Sequence, residues 1–256
     1  MTSPLTLALV GGTGLTELQE PCETLDIETP YGPTSAPVRV VAKGPLRLLF
    51  LPRHGNPHRF PPHRVNYRAN LWALREAGAD HVLAVYAVGG LHDPYAPAAL
   101  AAPDQLIDYS WGREHTYSDS GEEPLVHVDF TRPFDGTLRR ALLAVARDCA
   151  IELVDGGCIG VFQGPRLESA AEIKRARRDG CDMAGMTALP EAGLARELGL
   201  DYAGLAVVSI WGAGVGDDLL SEEDIAQTLR EPMTRVRRMI AALAPRLLAT
   251  EASKND

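Results

Sequence analysis

Cysteine is scarce in this chain. Four residues in 256, Cys22, Cys149, Cys158 and Cys181, lie scattered with no CxxC pair. Zinc sites need clustered ligands and disulfide scaffolds need dense pairs, so both readings are set aside, no metal is expected, and the cytoplasm is the expected location. Long apolar runs are missing too: none approaches the roughly 18–20 residues that span a bilayer, so no membrane partner is expected. The opening MTSPLTLALVGGTG has no basic segment ahead of its apolar stretch, which is read as a strand and not as a signal peptide. Positive charge is in deficit, with 25 Lys and Arg against 34 Asp and Glu and a formal net charge of -9. A nucleic-acid partner would want a broad basic face, which this balance does not supply. There is no GxGxxG with a ribose-binding acid behind it, and no Walker lysine, so dinucleotide and P-loop chemistry are not supported.

Against that acidic background, PRHGNPHRFPPHRVNYR (52–68) stands out. It gathers Arg53, His54, His58, Arg59, His63, Arg64 and Arg68 in one Gly- and Pro-punctuated stretch. Arg offers a planar fork of donors that suits phosphate or carboxylate, and His adds a group tunable near neutrality. The block therefore reads as a small-anion site, with a solvated charged loop as the alternative.

Short β-branched runs alternate with helical patterns. Strands are expected at 5–10, 37–43, 46–52, 81–88, 157–164, 181–186 and 201–211. Helices are expected at 66–77, with Asn66 as N-cap, and at 135–150, 169–178 and 190–198. A last helix should run from a capping box at Ser221–Asp224 to about 248, ahead of a frayed EASKND tail. The alternation predicts an α/β fold with a mixed or mostly parallel sheet, and no linker, repeat or low-complexity tract divides the chain. Such sheets place ligands at the carboxyl ends of strands. Gly-punctuated segments fall there at 11–14, 52–58, 86–91 and 163–169. Each has a plainer reading: Gly11–Gly14 as a tight turn, and Arg166 with Glu168 as a surface ion pair.

Taken together and in order, the segments VGGTGL (10–15), PRHGNPH (52–58), VNYRANLWAL (65–74), AVGGL (87–91), QLIDYSWGREHTY (105–117), GPRLESAAE (164–172) and DMAGMTALPEAGLARELGLDYA (182–203) resemble a known family. They are similar to the trimeric-type purine nucleoside phosphorylases, nearest to the methylthioadenosine and methylthioinosine phosphorylase branch, and REHTY leans to the methylthioinosine side. The resemblance implies one nucleoside phosphorylase domain over 1–256, with its core at about 5–248 and a mixed central sheet flanked by helices. It also implies a homotrimer that acts on a purine nucleoside, with inorganic phosphate as co-substrate and no resident cofactor. It implies Thr13, Arg53, His54, Ala87 and Thr187 as phosphate ligands, with Arg53 and His54 holding the anion against a developing sugar cation. Met186 is implied under the ribose, with His58 near the same wall, Leu167 at the base, and His127 reaching a neighbouring subunit's 5′ pocket. Glu168 is implied to accept from N1–H of a 6-oxopurine. Adenine has no such proton, and an ionised carboxylate facing its lone pair is disfavoured by about 1–3 kcal/mol.

Three positions depart from the family's pattern. Ile210 occupies a position where a polar group should reach the purine N7 region, in a substrate-contacting run that continues through Trp211 and Gly212, so Ser209 or the Trp211 indole N–H would have to substitute through a shifted register. Tyr86 replaces a smaller Thr or Asn and is expected to fill part of the site. Glu222 falls near the position that selects the 5′ substituent. Altered substrate choice, or a diverged homologue that binds nucleoside or phosphate with weak or no turnover, is the alternative these departures raise.

Overall fold

The computed structural model describes residues 5–17, 20–43, 46–119, 125–216 and 222–252. Its strands are β1 (Leu5–Gly11), β2 (Glu23–Leu25), β3 (Val38–Lys43), β4 (Leu46–Pro52), β5 (His81–Gly90), β6 (Leu100–Ala102), β7 (Gln105–Asp108), β8 (Val154–Asp155), β9 (Cys158–Val161), β10 (Met183–Gly185) and β11 (Asp201–Trp211). Its helices are α1 (Tyr67–Glu76), α2 (Thr137–Asp148), α3 (Ala170–Asp179), α4 (Ala188–Glu197) and α5 (Glu222–Ala252). The strands form one mixed sheet, as expected, ordered β2-β3-β4-β1-β5-β10-β9-β7, with β11, β6 and β8 branching from β5.

The sheet is covered on both faces, which explains why its central strands read as unbroken apolar runs. In β1, Leu7 and Leu9 pack with Leu138 and Leu142 of α2 and Val236 and Met239 of α5. Ala8 and Val10 point the other way, into a core shared with Leu71 and Leu74 of α1 and Ala192 and Leu194 of α4. Helix α3 closes a smaller cluster through Ile173 and Ala176.

Local signals set several boundaries. The Asn66 side chain accepts from the Ala69 amide at 3.1 Å and starts α1. Ser169 and Glu172 form a reciprocal capping box at α3. Leu189, inside α4, is extended at φ -115, ψ 144. It precedes Pro190, whose ring disfavours helical geometry in its predecessor, so regular helix begins at the proline. The expected capping box at 221–224 and the tail at 253–256 lie outside the described residues or side chains.

The site is made where the sheet forks. β11 runs along the whole of one edge of β5. On the other edge, β1 pairs only with His81–Ala84 and β10 only with Gly89 and Gly90. Between them, on this second edge, residues 85–88 have no strand beside them among the described residues. Into this notch run the carboxyl ends of β1, β4, β5, β10 and β11.

Candidate active site

A cavity of about 580 Å³ occupies the fork. The β1 turn supplies Gly12 and Thr13, and the β4 end supplies Arg53 and His54 with His58 beyond. β5 supplies Ala87 to Gly89, β10 leads to Met186 and Thr187, and β11 ends in Ser209, Ile210 and Gly212. Gly12 is required by close approach: a Cβ there would lie 2.7 Å from the Val85 oxygen and 2.8 Å from Arg53 Nη1.

Arg53 is fully buried, and its charge is matched on site. Nε and Nη2 donate to the two carboxylate oxygens of Glu191 at 2.7 and 2.9 Å. Nη1 donates at 3.0 Å to the Val85 carbonyl, which has no strand beside it at the fork. Burial works against the guanidinium charge, but the Glu191 carboxylate outweighs it and holds Arg53 above its ordinary value. Three of its five N–H groups are thus committed, leaving two for a ligand. Glu191 also accepts from the Tyr202 hydroxyl at 2.8 Å.

Tyr86 corrects one expectation. Its side chain does not line the cavity; it turns beneath Arg53, 5.2 Å from ring centroid to guanidinium, and its hydroxyl bonds that of Tyr202. The phenol completes the buried Arg53–Glu191–Tyr202 network and fills no substrate space.

His54 is neutral at pH 7. Burial, with the nearby Arg53 charge, pushes it down to about 4. Nδ1 lies 2.7 Å from the Phe60 carbonyl, which can only accept, so Nδ1 carries the hydrogen and Nε2 presents a lone pair. The imidazole stacks on His58 at 4.3 Å. The block at 52–68 therefore does not make a strongly positive pocket: Arg53 is paired and His54 is uncharged. His63 and Arg64 are exposed, and Arg68 pairs with Glu114 and Asp119.

Glu168 also lines the cavity, and its Oε1 is buried with no hydrogen-bond partner. The plainer reading of Glu168 as a partner for Arg166 fails, because Arg166 binds Glu172 through both terminal nitrogens at 2.9 Å. Burial raises the Glu168 carboxyl to about 7, with Glu172 adding repulsion. A buried polar atom without a partner is rare and calls for one. Leu167 lies beside it, 38% exposed, and also lines the cavity.

The β11 end has the register shift the sequence left open. Pairing with β5 slips between Val208 and Ile210, so Ser209 is the extra residue of a bulge. Ser209 faces the cavity while its hydroxyl donates to the Val88 carbonyl at 3.2 Å. Ile210 faces the cavity as well. Trp211 does not; it packs at Gly216, which removes it from the substrate-binding set.

Thr13, Ala87, Met186 and Thr187 all border the cavity, and the buried Thr187 side chain makes no capping bond to α4. His127 is exposed and does not line this chain's own cavity. Glu222 opens α5, but its side chain lies outside the described part. One turn on, Ile225 and Ala226 form an apolar wall that sequence reasoning missed. A helical pattern ahead of them gave no sign of which face would meet the sheet.

The sequence profile of the phosphorylase superfamily matches residues 6–245. A probable S-methyl-5′-thioinosine phosphorylase of Xanthomonas campestris pv. campestris is 48% identical over 236 residues, covering 89% of this chain and 94% of that protein. A 6-oxopurine nucleoside phosphorylase of Pyrococcus furiosus is 37% identical over 247 residues, 93% of this chain and 92% of that one. Among solved structures, the methylthioadenosine phosphorylase from Schistosoma mansoni in complex with adenine matches with a TM-score of 0.90. That match has 29% identity and covers 96% of this chain and 92% of that chain.

Proposed function

The chain belongs to the phosphorylase superfamily, and we propose that it cleaves the N-glycosidic bond of a 6-oxopurine nucleoside with phosphate, S-methyl-5′-thioinosine being the substrate its cavity suits best. The observation that carries this reading is Glu168: a buried carboxylate oxygen with no partner, on a residue that lines the same cavity as Arg53. A purine N1–H would satisfy it. The apolar Ile225 and Ala226 favour a thioether over a hydroxyl at the sugar 5′ position.

In the reaction, a phosphate oxygen forms a bond to C1′ as the C1′–N9 bond breaks. The bonding pair leaves with the purine, and the hydrogen of hydrogenphosphate ends on the base. The free purine and 5-methylthioribose 1-phosphate are the products. Phosphate is a co-substrate, and the proposal calls on no resident cofactor or metal. Arg53 offers its two free N–H groups, the Thr13 and Thr187 hydroxyls and the Ala87 backbone lie alongside, and Met186 packs under the sugar. Held there, the anion faces the oxocarbenium-like centre, which is where fixed charge is most effective. The lone pair on His54 suits a protonated phosphate oxygen or a sugar hydroxyl.

We also place the enzyme in the cytoplasm as a homotrimer. Trp111, Leu125 and Val126 are 73%, 70% and 52% exposed in the single chain, and His127 adjoins them. Among the described residues no helix is long and apolar enough to cross a membrane.

The test is hypoxanthine release from S-methyl-5′-thioinosine and inosine, with and without phosphate. Release that requires phosphate is expected; none from folded protein with either nucleoside would end the proposal. Ile210 in the cavity sustains a second reading, a homologue that binds without turnover. Thermal stabilisation by phosphate or purine with no product would favour it.

A further inference from the structure

Arg113 lies outside the cavity lining, yet it is tied to both of its walls. Its Nε donates to Gln163 Oε1 at 3.2 Å. Nη1 donates to the carbonyls of Met186 and Leu189 at 2.8 and 2.7 Å, and Nη2 to those of Phe162 and Gln163 at 3.0 and 2.9 Å. All five N–H groups are used, on neutral oxygens, four of them backbone carbonyls. Among the described residues the guanidinium has no carboxylate within ion-pair distance, and burial lowers it from its ordinary value. A half-buried charge with no contact ion pair, offset only in part by the more distant Asp108 carboxylate, is an expensive way to join two loops, and a purpose beyond packing is indicated.

The two loops it joins both border the ligand site. Phe162 and Gln163 lead into the turn that bears Leu167 and Glu168. Met186 to Leu189 bear Thr187 and lead to Glu191, which holds Arg53. The loops also touch directly: a Cβ on Gly164, at φ +58, would lie 2.4 Å from Met186 Sδ.

We propose that Arg113 is a positioning residue that fixes the base-recognition turn against the phosphate wall, and so sets the distance between purine and phosphate across the cavity. It rests on the phosphorolytic reading above. It touches no substrate; it acts through the carbonyls on either side. Charge-assisted bonds to both loops make it stiffer than the neutral contacts around it.

The test compares wild type with Arg113→Met and Arg113→Lys, the latter keeping charge but losing the planar fork. Two readouts are taken: amide hydrogen exchange over 162–168 and 186–189, and steady-state kinetics with nucleoside and phosphate. In Arg113→Met both segments should exchange faster together. kcat per folded molecule should fall about 10²-fold, with KM for each substrate within about 3-fold, the signature of lost alignment. Arg113→Lys should lie between. A merely structural role would instead reduce activity in step with the unfolded fraction in a melt. Faster exchange in one segment only or in neither would overturn the proposal, as would unchanged kcat in a folded variant or an effect confined to one KM. Should Arg113→Met not fold, the Lys variant decides by the same criteria. Should wild type itself release no purine, the phosphorolytic reading fails, while the exchange data still judge the pin between the loops.

Discussion

On the proposed function, Glu168 is the residue that selects the base, and its titration would make that choice depend on pH. Below about 7 the carboxyl is protonated and can donate to the N1 lone pair of adenine; above it, the carboxylate accepts N1–H of a 6-oxopurine. The preference for inosine-type over adenosine-type nucleosides should therefore widen as pH rises from 6 to 8, read as the ratio of kcat/KM. Glu168→Gln should flatten that dependence. Ile210 faces the cavity without a polar group, and Ile210→Asn should raise 6-oxopurine turnover by about 10-fold or more if the leaving purine lacks a donor there. An unchanged rate would show that Ser209, brought into the cavity by the bulge, already serves. His54 affects stability with a definite sign. Its native value near 4 lies below that of an unfolded histidine, so the unfolded chain takes up the proton first. Its contribution is complete above about pH 6.5 and is lost as pH falls through about 4.

Between elements, the ion pair of Arg53 with Glu191 joins the end of β4 to α4 across the fork. Glu191→Ala would leave a buried guanidinium unpaired and should cost about 3–5 kcal/mol by chemical denaturation. Tyr202→Phe, which removes one bond to Glu191 and one to Tyr86, should cost only about 1–2 kcal/mol. This network was not legible in the sequence. Arg53 stands 138 positions from Glu191, and nothing local marks the carboxylate as its partner. The resemblance places Tyr86 at a substrate position because relatives carry a small Thr or Asn there; a phenol is long enough to turn beneath Arg53 and reach Tyr202 instead. Long elements were legible for the opposite reason: β1, β5 and β11 carry unbroken apolar runs, and α1 and α3 carry their own caps at Asn66 and Ser169. β2, β6, β7 and β8 are two to four residues long and exist only by pairing with neighbours.

At the scale of the whole molecule, the forked sheet gathers five strand ends around one cavity, and the Gly-punctuated segments at those ends are what the sequence displayed most clearly. Which of the block's cations are neutralised depends on the assembled fold, through Glu191 beside Arg53 and the burial of His54, and composition alone does not show it. A folded protein that binds phosphate at this cavity should melt later in its presence, by about 2.7 kcal/mol of added stability at a hundredfold excess over Kd. The exposed Trp111, Leu125 and Val126 should disappear into a subunit contact, giving three times the 27.6 kDa chain mass by light scattering. Trp111→Glu should lower that mass. Phosphate-dependent turnover of a 6-oxopurine nucleoside is the central expectation. The ratio of kcat/KM for S-methyl-5′-thioinosine over S-methyl-5′-thioadenosine, at saturating phosphate and pH 8, measures it. A ratio of roughly 10 to 100 or more in favour of the thioinosine is predicted from the unpaired contact at Glu168; a preference for the thioadenosine, or turnover indifferent to phosphate, would contradict it.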